Sequence, residues 1–265
     1  MKKRLTLILA IAVALFLLGG CAASSSKQSL TVAEGKFTVG FDQSFPPMGF
    51  IGDDGEFTGF DLELAAETAK RLDLELVLQP IAWDSKDNEL SSKNIDCIWN
   101  GFTMNGREDG YTWTEPYMAN TQVFMVRADS DIRTLEDLAG KSVAVQVDSS
   151  AEAALEDNPD LLNSFGEIVK ASDYNQALMD LESEGVDAVA IDRVVAEYRM
   201  QKAEGKFAIL EETLQEEKFG VGFLLGNEAL RDKVQKALED MAEEGVLKEI
   251  SEKWFGRDVT IIGKN

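Results

Sequence analysis

The stretch GFDLELAAETAKRLDLELVLQP, from Gly59 to Pro80, places a helical pattern directly before a strand pattern. Its apolar residues first recur at helical spacing on one face, at Leu62, Ala65, Ala66, Ala69 and Leu72. LELVLQP (Leu74–Pro80) is then typical of a strand, which Pro80 ends. A helix that leads straight into a strand favours the α/β class.

The flanking segments continue this alternation. FTVGF (Phe37–Phe41) and IDCIWNG (Ile95–Gly101) predict strands, and DSKDNELSS predicts a short helix. Because strands that alternate with helices are joined by crossovers, we expect a largely parallel sheet flanked by helices.

The pattern starts again after TEPYMANTQ (Thr114–Gln122). Four further segments predict strands, with helical patterns between them: VFMVR, SVAVQV, GEIVKA and VDAVAI. FGVGFLL (Phe219–Leu225) predicts a late strand, and two helices with glycine stops follow it. The chain therefore crosses between two α/β units near Tyr117–Gln122 and again near Glu217–Phe223. Two crossings predict a two-segment hinge with a cleft.

The N-terminus has the features of an export signal. MKKR is positive, and the uncharged run of 14 residues after it is shorter than the about 20 that a membrane span needs. LGGC (Leu18–Cys21) resembles a bacterial lipobox, which implies cleavage after the signal peptide (1–20) and a lipid on the Cys21 thiol. A plain secretory peptide with an incidental cysteine is the alternative. Residues 21–35 then form the lipidated cysteine and a flexible polar tether beside the outer face of a membrane.

Composition excludes several classes of function. The formal charge of −22 argues against nucleic acid or an anionic lipid surface as partner. The chain has no histidine, which removes Ser-His-Asp and Cys-His catalysis and His-based zinc sites. Cys97 is the one cysteine after Cys21, so we expect a buried thiol and no internal disulfide. We expect no metal or cofactor, because the acids at Asp53–Asp54 and Glu243–Glu244 are typical of solvated faces.

Polar and aromatic residues follow the strands of the first unit, where ligands of α/β proteins bind. Asp42 ends the first strand and opens DQSFPPMGF, whose prolines hold Phe45 and Met48 either in a site or in a core-capping loop. Trp83 is either core or a lid on a ligand.

WNGFTMNGRED, from Trp99 to Asp109, offers Gly101, Thr103 and Arg107 after the next strand. The glycine, hydroxyl and guanidinium suit an anion site, and the alternative is a surface Arg107 paired with one of the two acids that follow it.

The second unit adds Gln146, Ser149, Ser150 and Asp192 at comparable positions. The serines suit an anion at a helix start, or else an ordinary N-cap. Asp192 suits an ammonium group, or else caps the helix after it. Together, the two units predict a site for an α-amino acid clamped between two lobes.

The chain resembles periplasmic-type solute-binding proteins for polar amino acids, the receptor components of ABC importers, from about Phe37 to Phe255. The matching stretches are VGFDQSFPPMGF, GEFTGFDLELA, IDCIWNGFTMNGRE, TEPYMANTQVFMV, GKSVAVQVDSSAE, VDAVAID and FGVGFLLGNEALRDKVQKALEDM. The resemblance implies an α/β, two-lobed, type II periplasmic-binding-protein-like fold with a mainly parallel sheet in each lobe. Lobe 1 would comprise residues 36–118 and 222–265, and lobe 2 residues 119–221.

The resemblance also implies roles for the residues that would hold the amino acid head group. Arg107 would clamp the α-carboxylate with two hydrogen bonds, helped by Thr103 and the backbone at Gly101. The backbone N–H of Ser150 would add a donor from the second lobe, and Asp192 would accept the α-ammonium.

For the ligand side chain, the resemblance places Phe45 and Trp83 as a sandwich, with Asp42, Met48 and Gln146 at the far end. An acid and an amide there favour a side chain that carries donors, such as glutamine, another uncharged polar residue or cystine. A basic side chain would need a second acid or a cation–π contact with Trp83, and Asp42 would repel glutamate.

The predicted function is an extracytoplasmic, monomeric, lipid-anchored receptor that closes around a small polar amino acid and delivers it to a membrane permease and its ATPase. The alternatives are a cleft enzyme of the prephenate or arogenate dehydratase type, or a sensory lipoprotein. Only Asp42 and Asp192 could supply the general acid of such an enzyme, and the paired charges for a head group favour binding without catalysis.

Overall fold

The computed structural model describes residues 30–264 as two lobes, each built on a five-stranded sheet. In chain order the strands are β1 (Lys36–Phe41), β2 (Ser44–Phe45), β3 (Gly49–Ile51), β4 (Phe57–Thr58), β5 (Glu75–Pro80), β6 (Cys97–Ile98), β7 (Thr112–Trp113), β8 (Met118–Arg127), β9 (Ser142–Gln146), β10 (Glu167–Ala171), β11 (Ala188–Asp192), β12 (Phe207–Phe219) and β13 (Gly222–Phe223). The helices are α1 (Phe60–Arg71), α2 (Lys86–Ser91), α3 (Ser150–Glu156), α4 (Pro159–Ser164), α5 (Tyr174–Glu182), α6 (Arg193–Lys202), α7 (Glu228–Glu244) and α8 (Val246–Phe255). The predicted signal peptide and Cys21 lie outside the described residues.

Both main sheets are mixed. The first has the order β5-β1-β6-β13-β7, in which β5, β1 and β6 run parallel and β13 runs antiparallel to both of its neighbours. The second has the order β10-β9-β11-β8-β12, with three parallel strands and with β8 antiparallel to β11 and β12. The parallel half of each sheet follows from the predicted helix–strand alternation, and the strands next to the chain crossings form the antiparallel half.

The longest strand, β12, is not in the sequence prediction. Its sequence, FAILEETLQEEKF, carries four glutamates, a residue type depleted in strands. It pairs with β8 from Phe207–Arg127 to Phe219–Met118 and lies at the sheet edge, where outward side chains reach water. The predicted strand Phe219–Leu225 is reduced to β13, because Gly220 N donates to Phe102 O at 3.0 Å instead of continuing the ladder.

The two chain crossings lie side by side. Met118 at the start of β8 pairs with Phe219 at the end of β12, and Tyr117 N donates to Phe219 O at 2.9 Å. Thr103, in the loop after β6, also bridges to Phe219. The two predicted hinge segments therefore form one antiparallel ribbon, which brings a loop of the first lobe next to the second sheet.

The N-terminal segment belongs to the first lobe from Leu30 onward. Val32 N donates to Asp96 Oδ1 at 2.6 Å, and Thr38 N donates to Asp96 Oδ2 at 2.7 Å. The prediction of a flexible tether that reaches Gly35 is therefore corrected over its last residues. The cause is the buried Asp96 carboxylate, which needs such donors to offset its lost hydration.

Other predictions concern single residues. Cys97 is fully buried on β6 as a free thiol, and burial raises its pKa well above the ordinary value. The acids Asp53–Asp54 and Glu243–Glu244 are exposed. Within residues 30–264, no group of three or more His, Cys, Asp or Glu side chains is placed to hold a metal. None of the helices in that range has both the length and the apolar content to cross a membrane.

Candidate functional site

A small cavity lies between the lobes, where β1, β6, β9 and β11 end. Its lining consists of Asp42, Phe45, Trp83, Asn100, Gly101, Thr103, Arg107, Gln146, Ser149, Ser150 and Asp192. Every residue predicted for the ligand site except Met48 is in this set. The structure thus brings together, from both lobes, side chains that are up to 150 positions apart in the sequence.

Met48 is the exception, because it lies behind the cavity wall. Its side chain is fully buried in the core, and its Cγ would be 3.4 Å from a Cβ at Gly101. Asn100 is a lining residue that was not predicted, whereas Ser149 was considered as an anion donor or as an ordinary N-cap. Asn100 Oδ1 accepts from Asp42 N at 3.1 Å, and Ser149 caps α3 by accepting from Glu152 N at 3.1 Å. Asn100 adjoins the predicted Gly101, and its place after a strand end is the signal that could have found it.

Arg107 lies at the near end of the cavity. Its Nη1 donates to Thr103 O at 3.4 Å, and its Nη2 donates to Asp148 O at 3.2 Å on the second lobe. The guanidinium also lies 5.5 Å from the centroid of the Phe102 ring. Among the described residues, it forms no ion pair with the two acids that follow it in the sequence, so the structure does not support the surface-pair alternative.

Opposite this cation lies a pair of buried carboxyl groups. Asp192 and Glu217 are each 3% exposed. Asn120 Nδ2 donates to both, at 2.8 Å to Asp192 Oδ1 and 2.5 Å to Glu217 Oε1. Thr103 Oγ1 donates to Glu217 Oε2 at 2.8 Å, and Gln122 Nε2 donates to Glu217 Oε1 at 2.8 Å. The pair therefore has amide and hydroxyl donors but no cation in contact with it among the described residues.

The Asp192 side chain does not cap α6, which was the alternative role for it. Burial raises its pKa well above the ordinary value, and the charge of Glu217 raises it further. A negative charge beside a buried acid disfavours the ionised form of that acid, here Asp192. A ligand ammonium group would reverse this effect, because an opposite charge stabilises the ionised pair.

Asp42 closes the far end of the cavity from the first lobe. Its Oδ2 accepts from Gln146 Nε2 at 2.8 Å across the cleft, and its Oδ1 accepts from Ser44 N at 2.7 Å. Burial is the main cause that raises the pKa of Asp42. The far end of the cavity is thus lined by an acid and an amide that hydrogen-bond to each other across the cleft.

Two aromatic rings form the walls. Phe45 packs 5.8 Å from the ring of Tyr174 on the second lobe, and Trp83 packs edge-on to Phe102 at 5.5 Å. Gly101, at φ +54°, lies beneath Phe45, and a Cβ there would be 2.8 Å from Phe45 Cε1. Glycine at this position therefore lets the ring lie close to the loop that carries Arg107.

The chain matches the family described as bacterial extracellular solute-binding proteins, family 3, over residues 37–257. The L-cystine-binding protein TcyJ of Escherichia coli K12 is 34% identical over 230 residues, which cover 85% of each chain. The L-cystine-binding protein TcyA of Bacillus subtilis 168 is 30% identical over 274 residues, which cover 98% of this chain and 100% of that relative.

The chain belongs to family 3 of the bacterial extracellular solute-binding proteins. A solved structure agrees with this assignment: an ABC uptake transporter substrate-binding protein from Streptococcus pneumoniae with bound histidine superposes with a TM-score of 0.82 at 35% identity, and covers 85% of this chain and 94% of that chain. The predicted two-lobed fold is confirmed. The relatives are binding proteins, so the prediction of a binding protein is confirmed and the alternative of a cleft enzyme is not favoured. The family is described as extracellular.

One inter-lobe contact of this family 3 protein was not predicted. Lys86 on α2 is 1% exposed, and its Nζ donates to the Asp148 carboxylate and, at 3.3 Å, to Asp148 O on the second lobe. Asp148 is half-exposed and has φ +57°. The sequence gives no sign of this pair, because the partners are 62 positions apart, on a helix of one lobe and a loop of the other.

Proposed function

We propose that this family 3 protein is the receptor of an ABC importer and that it holds a polar L-amino acid in the inter-lobe cavity. The observation that carries the proposal is the placement of Arg107 and the Asp192–Glu217 pair in and beside one cavity. An α-amino acid presents a carboxylate and an ammonium group on one carbon, which is the charge pattern complementary to these residues.

Arg107 would bind the α-carboxylate, with Thr103 and the backbone at Gly101 and Ser150 as further donors. Asp192 would accept the α-ammonium, and Glu217 would add negative charge behind it. Phe45 and Trp83 would cover the side chain, and Asp42 with Gln146 would contact its end. Glutamine-like side chains and cystine fit this donor-seeking end, and the names of the TcyJ and TcyA relatives support cystine.

Residues from both lobes would contact the ligand, so ligand would stabilise the closed arrangement. The hinge would separate a first lobe of residues 36–118 and 222–265 from a second lobe of residues 119–221. Lipid on Cys21 would hold the protein beside a membrane permease and its ATPase on the extracytoplasmic face. We also propose that the protein acts as a monomer.

Calorimetric titration of the full chain, purified in detergent, tests the proposal. The panel comprises the twenty amino acids, cystine and ornithine. We expect tight binding of an L-amino acid that Arg107→Gln and Asp192→Asn each weaken at least about a hundredfold, since each removes a charged partner of a buried ion. Arg133→Gln and Asp160→Asn, at exposed positions of the second lobe, are the matched controls. A folded protein that binds nothing on the panel would contradict the proposal.

A further inference from the structure

We propose that the ligand carries two α-amino acid head groups, as cystine does. We further propose that Arg199 binds the carboxylate of the second head group. This inference rests on the proposed function, because it assigns the far end of the same site. It adds a residue outside the cavity lining to the binding of the ligand.

Arg199, on α6, forms no ion pair with the residues that the structure describes. Within residues 30–264, no carboxylate lies within salt-bridge distance of its guanidinium. Its Nη2 reaches the Asn175 side chain and lies 3.5 Å from Ser44 O on the first lobe. Its Nε is buried and has no hydrogen-bond partner. A buried N–H without a hydrogen-bond partner is costly, and an incoming carboxylate would satisfy it.

The position of Arg199 connects it to the far end of the cavity. Ser44 O faces Arg199 Nη2, while Ser44 N donates to Asp42 Oδ1 at 2.7 Å. Asp42 lines the cavity, whereas Ser44 and Arg199 line a groove between the lobes. One short turn, Asp42–Ser44, therefore separates the cavity from the groove. A ligand that passes this turn would meet Asp42 first and Arg199 next.

The two ends of the site have matching charges. The near end has Arg107 with the acids Asp192 and Glu217, and the far end has Arg199 with the acid Asp42. Burial is the largest cause that shifts the pKa of both groups; Asp173 and then Asp42 raise the pKa of Arg199, and Arg199 in turn lowers the pKa of Asp42. Each end thus complements a zwitterionic head group, with one cation for a carboxylate and at least one acid for an ammonium.

Ligands with one α-amino acid head group, here called single-headed, would leave part of this site without a partner. The glutamine amide would pair with Asp42 and Gln146 but would leave Arg199 without an anion. The guanidinium of an arginine ligand would pair with Asp42 but would approach Arg199 as a like charge. The second ammonium of cystine would replace Gln146 Nε2 on Asp42, and its second carboxylate would reach Arg199.

The test compares two-headed with single-headed ligands by calorimetric titration of the full chain. The probes are L-cystine, L-cystathionine, S-methyl-L-cysteine, L-glutamine and L-arginine. We expect cystine and cystathionine to bind at least about tenfold more tightly than S-methyl-L-cysteine, as expected for a charge-assisted contact. Arg199→Gln should remove this preference and leave S-methyl-L-cysteine within about twofold of its original affinity. Arg199→Lys should restore part of it, and Arg133→Gln is the matched control.

Each outcome bears on the inference. A protein that prefers glutamine or arginine to cystine would overturn the two-headed ligand but leave the proposed function intact. An Arg199→Gln variant that weakens all five ligands equally would assign Arg199 a structural role and overturn its role in binding. If Arg199→Gln does not fold, the ligand ranking of the unmodified chain decides. A folded chain that binds none of the full amino acid panel would overturn both proposals.

Discussion

Asp192 and Glu217 share one amide donor: Asn120 Nδ2 lies 2.8 Å from Asp192 Oδ1 and 2.5 Å from Glu217 Oε1. Both acids are buried, and the charge on Glu217 adds to burial in raising the pKa of Asp192. In the proposed complex, an ammonium group would pair with an acid whose ionised form is disfavoured by burial and by the charge of Glu217. Ligand affinity therefore depends on pH.

We expect affinity to rise with pH. A raised pKa leaves Asp192 neutral at low pH, whereas the ligand ammonium requires the ionised form, so binding there must release a proton. Glu217→Gln removes one cause of the raised pKa and should move the pH dependence of affinity to lower pH. Calorimetry between pH 5 and 8, in buffers with different ionisation enthalpies, measures the proton release. The exposed Glu249→Gln is the control, and equal affinity at every pH would contradict this account.

Lys86→Met should shift the lobes toward an open arrangement. The Lys86–Asp148 pair joins the two lobes, but Asp148 is half-exposed, so the pair is expected to contribute only about 1 kcal/mol. Loss of this pair should weaken binding of the amino acid that the calorimetric panel identifies by about threefold to tenfold. It should also increase the radius of gyration in X-ray scattering. Lys141→Met, at an exposed position, should change neither quantity, and an unaltered radius in Lys86→Met would rule out a role in closure.

Asp61 should make the protein less stable as pH rises. Its Oδ2 accepts from Gly101 N at 2.6 Å and from Tyr117 Oη at 2.8 Å, yet complete burial raises its pKa from 3.8 to about 7. The folded carboxyl stays neutral up to about pH 7, whereas the unfolded one ionises near pH 4. Stability from this group is therefore present at low pH and is lost as pH rises from about 4 to 7, by at most about 4 kcal/mol.

Asp61→Asn tests this effect, because an amide oxygen keeps the acceptor and never ionises. Urea unfolding at pH 5 and pH 8 should show a smaller loss of stability with pH for the variant than for the unmodified chain. Asp160→Asn is the exposed control. If Asp61→Asn and the unmodified chain lose stability in parallel, burial of Asp61 does not have the assigned effect.

Gly59→Ala should be strongly destabilising, and Gly55→Ala should not. Both glycines have positive φ, at +146° and +84°. A Cβ at Gly59 would lie 2.2 Å from Met48 O, in the loop that carries Phe45, whereas a Cβ at Gly55 would meet nothing within 4 Å. We expect losses of about 3 kcal/mol or more and about 1 kcal/mol, respectively, in urea unfolding. Equal losses would show that backbone strain, and not this contact, decides the effect.

The sequence predicted the cavity well because its chemistry lies at strand ends. Asp42, Gln146 and Asp192 each end or follow an apolar strand that stands out from its surroundings, and the ends of neighbouring parallel strands meet. Met48 was misplaced, because the order of residues in a proline-fixed turn does not say which side chains point inward. The same limit applies to Phe45, whose position in the wall depends on the glycine beneath it.

Residues buried by the hinge were not predictable in the same way. Glu217 lies in a glutamate-rich segment that is typical of a solvated surface, and only the pairing of β12 with β8 buries it next to Asp192. Lys86 becomes buried through contact with the opposite lobe. Such burial depends on how distant segments meet, and neither periodicity nor local composition carries that information.

The fully buried Cys97 has a practical consequence for watching the protein work. Burial shields this thiol from maleimide reagents, and Cys97 is the only cysteine within residues 30–264. A chain in which Cys21 is replaced would therefore accept dyes only at cysteines introduced by design. With one such cysteine on each lobe, energy transfer between two fluorophores could time single opening and closing events in the native core sequence.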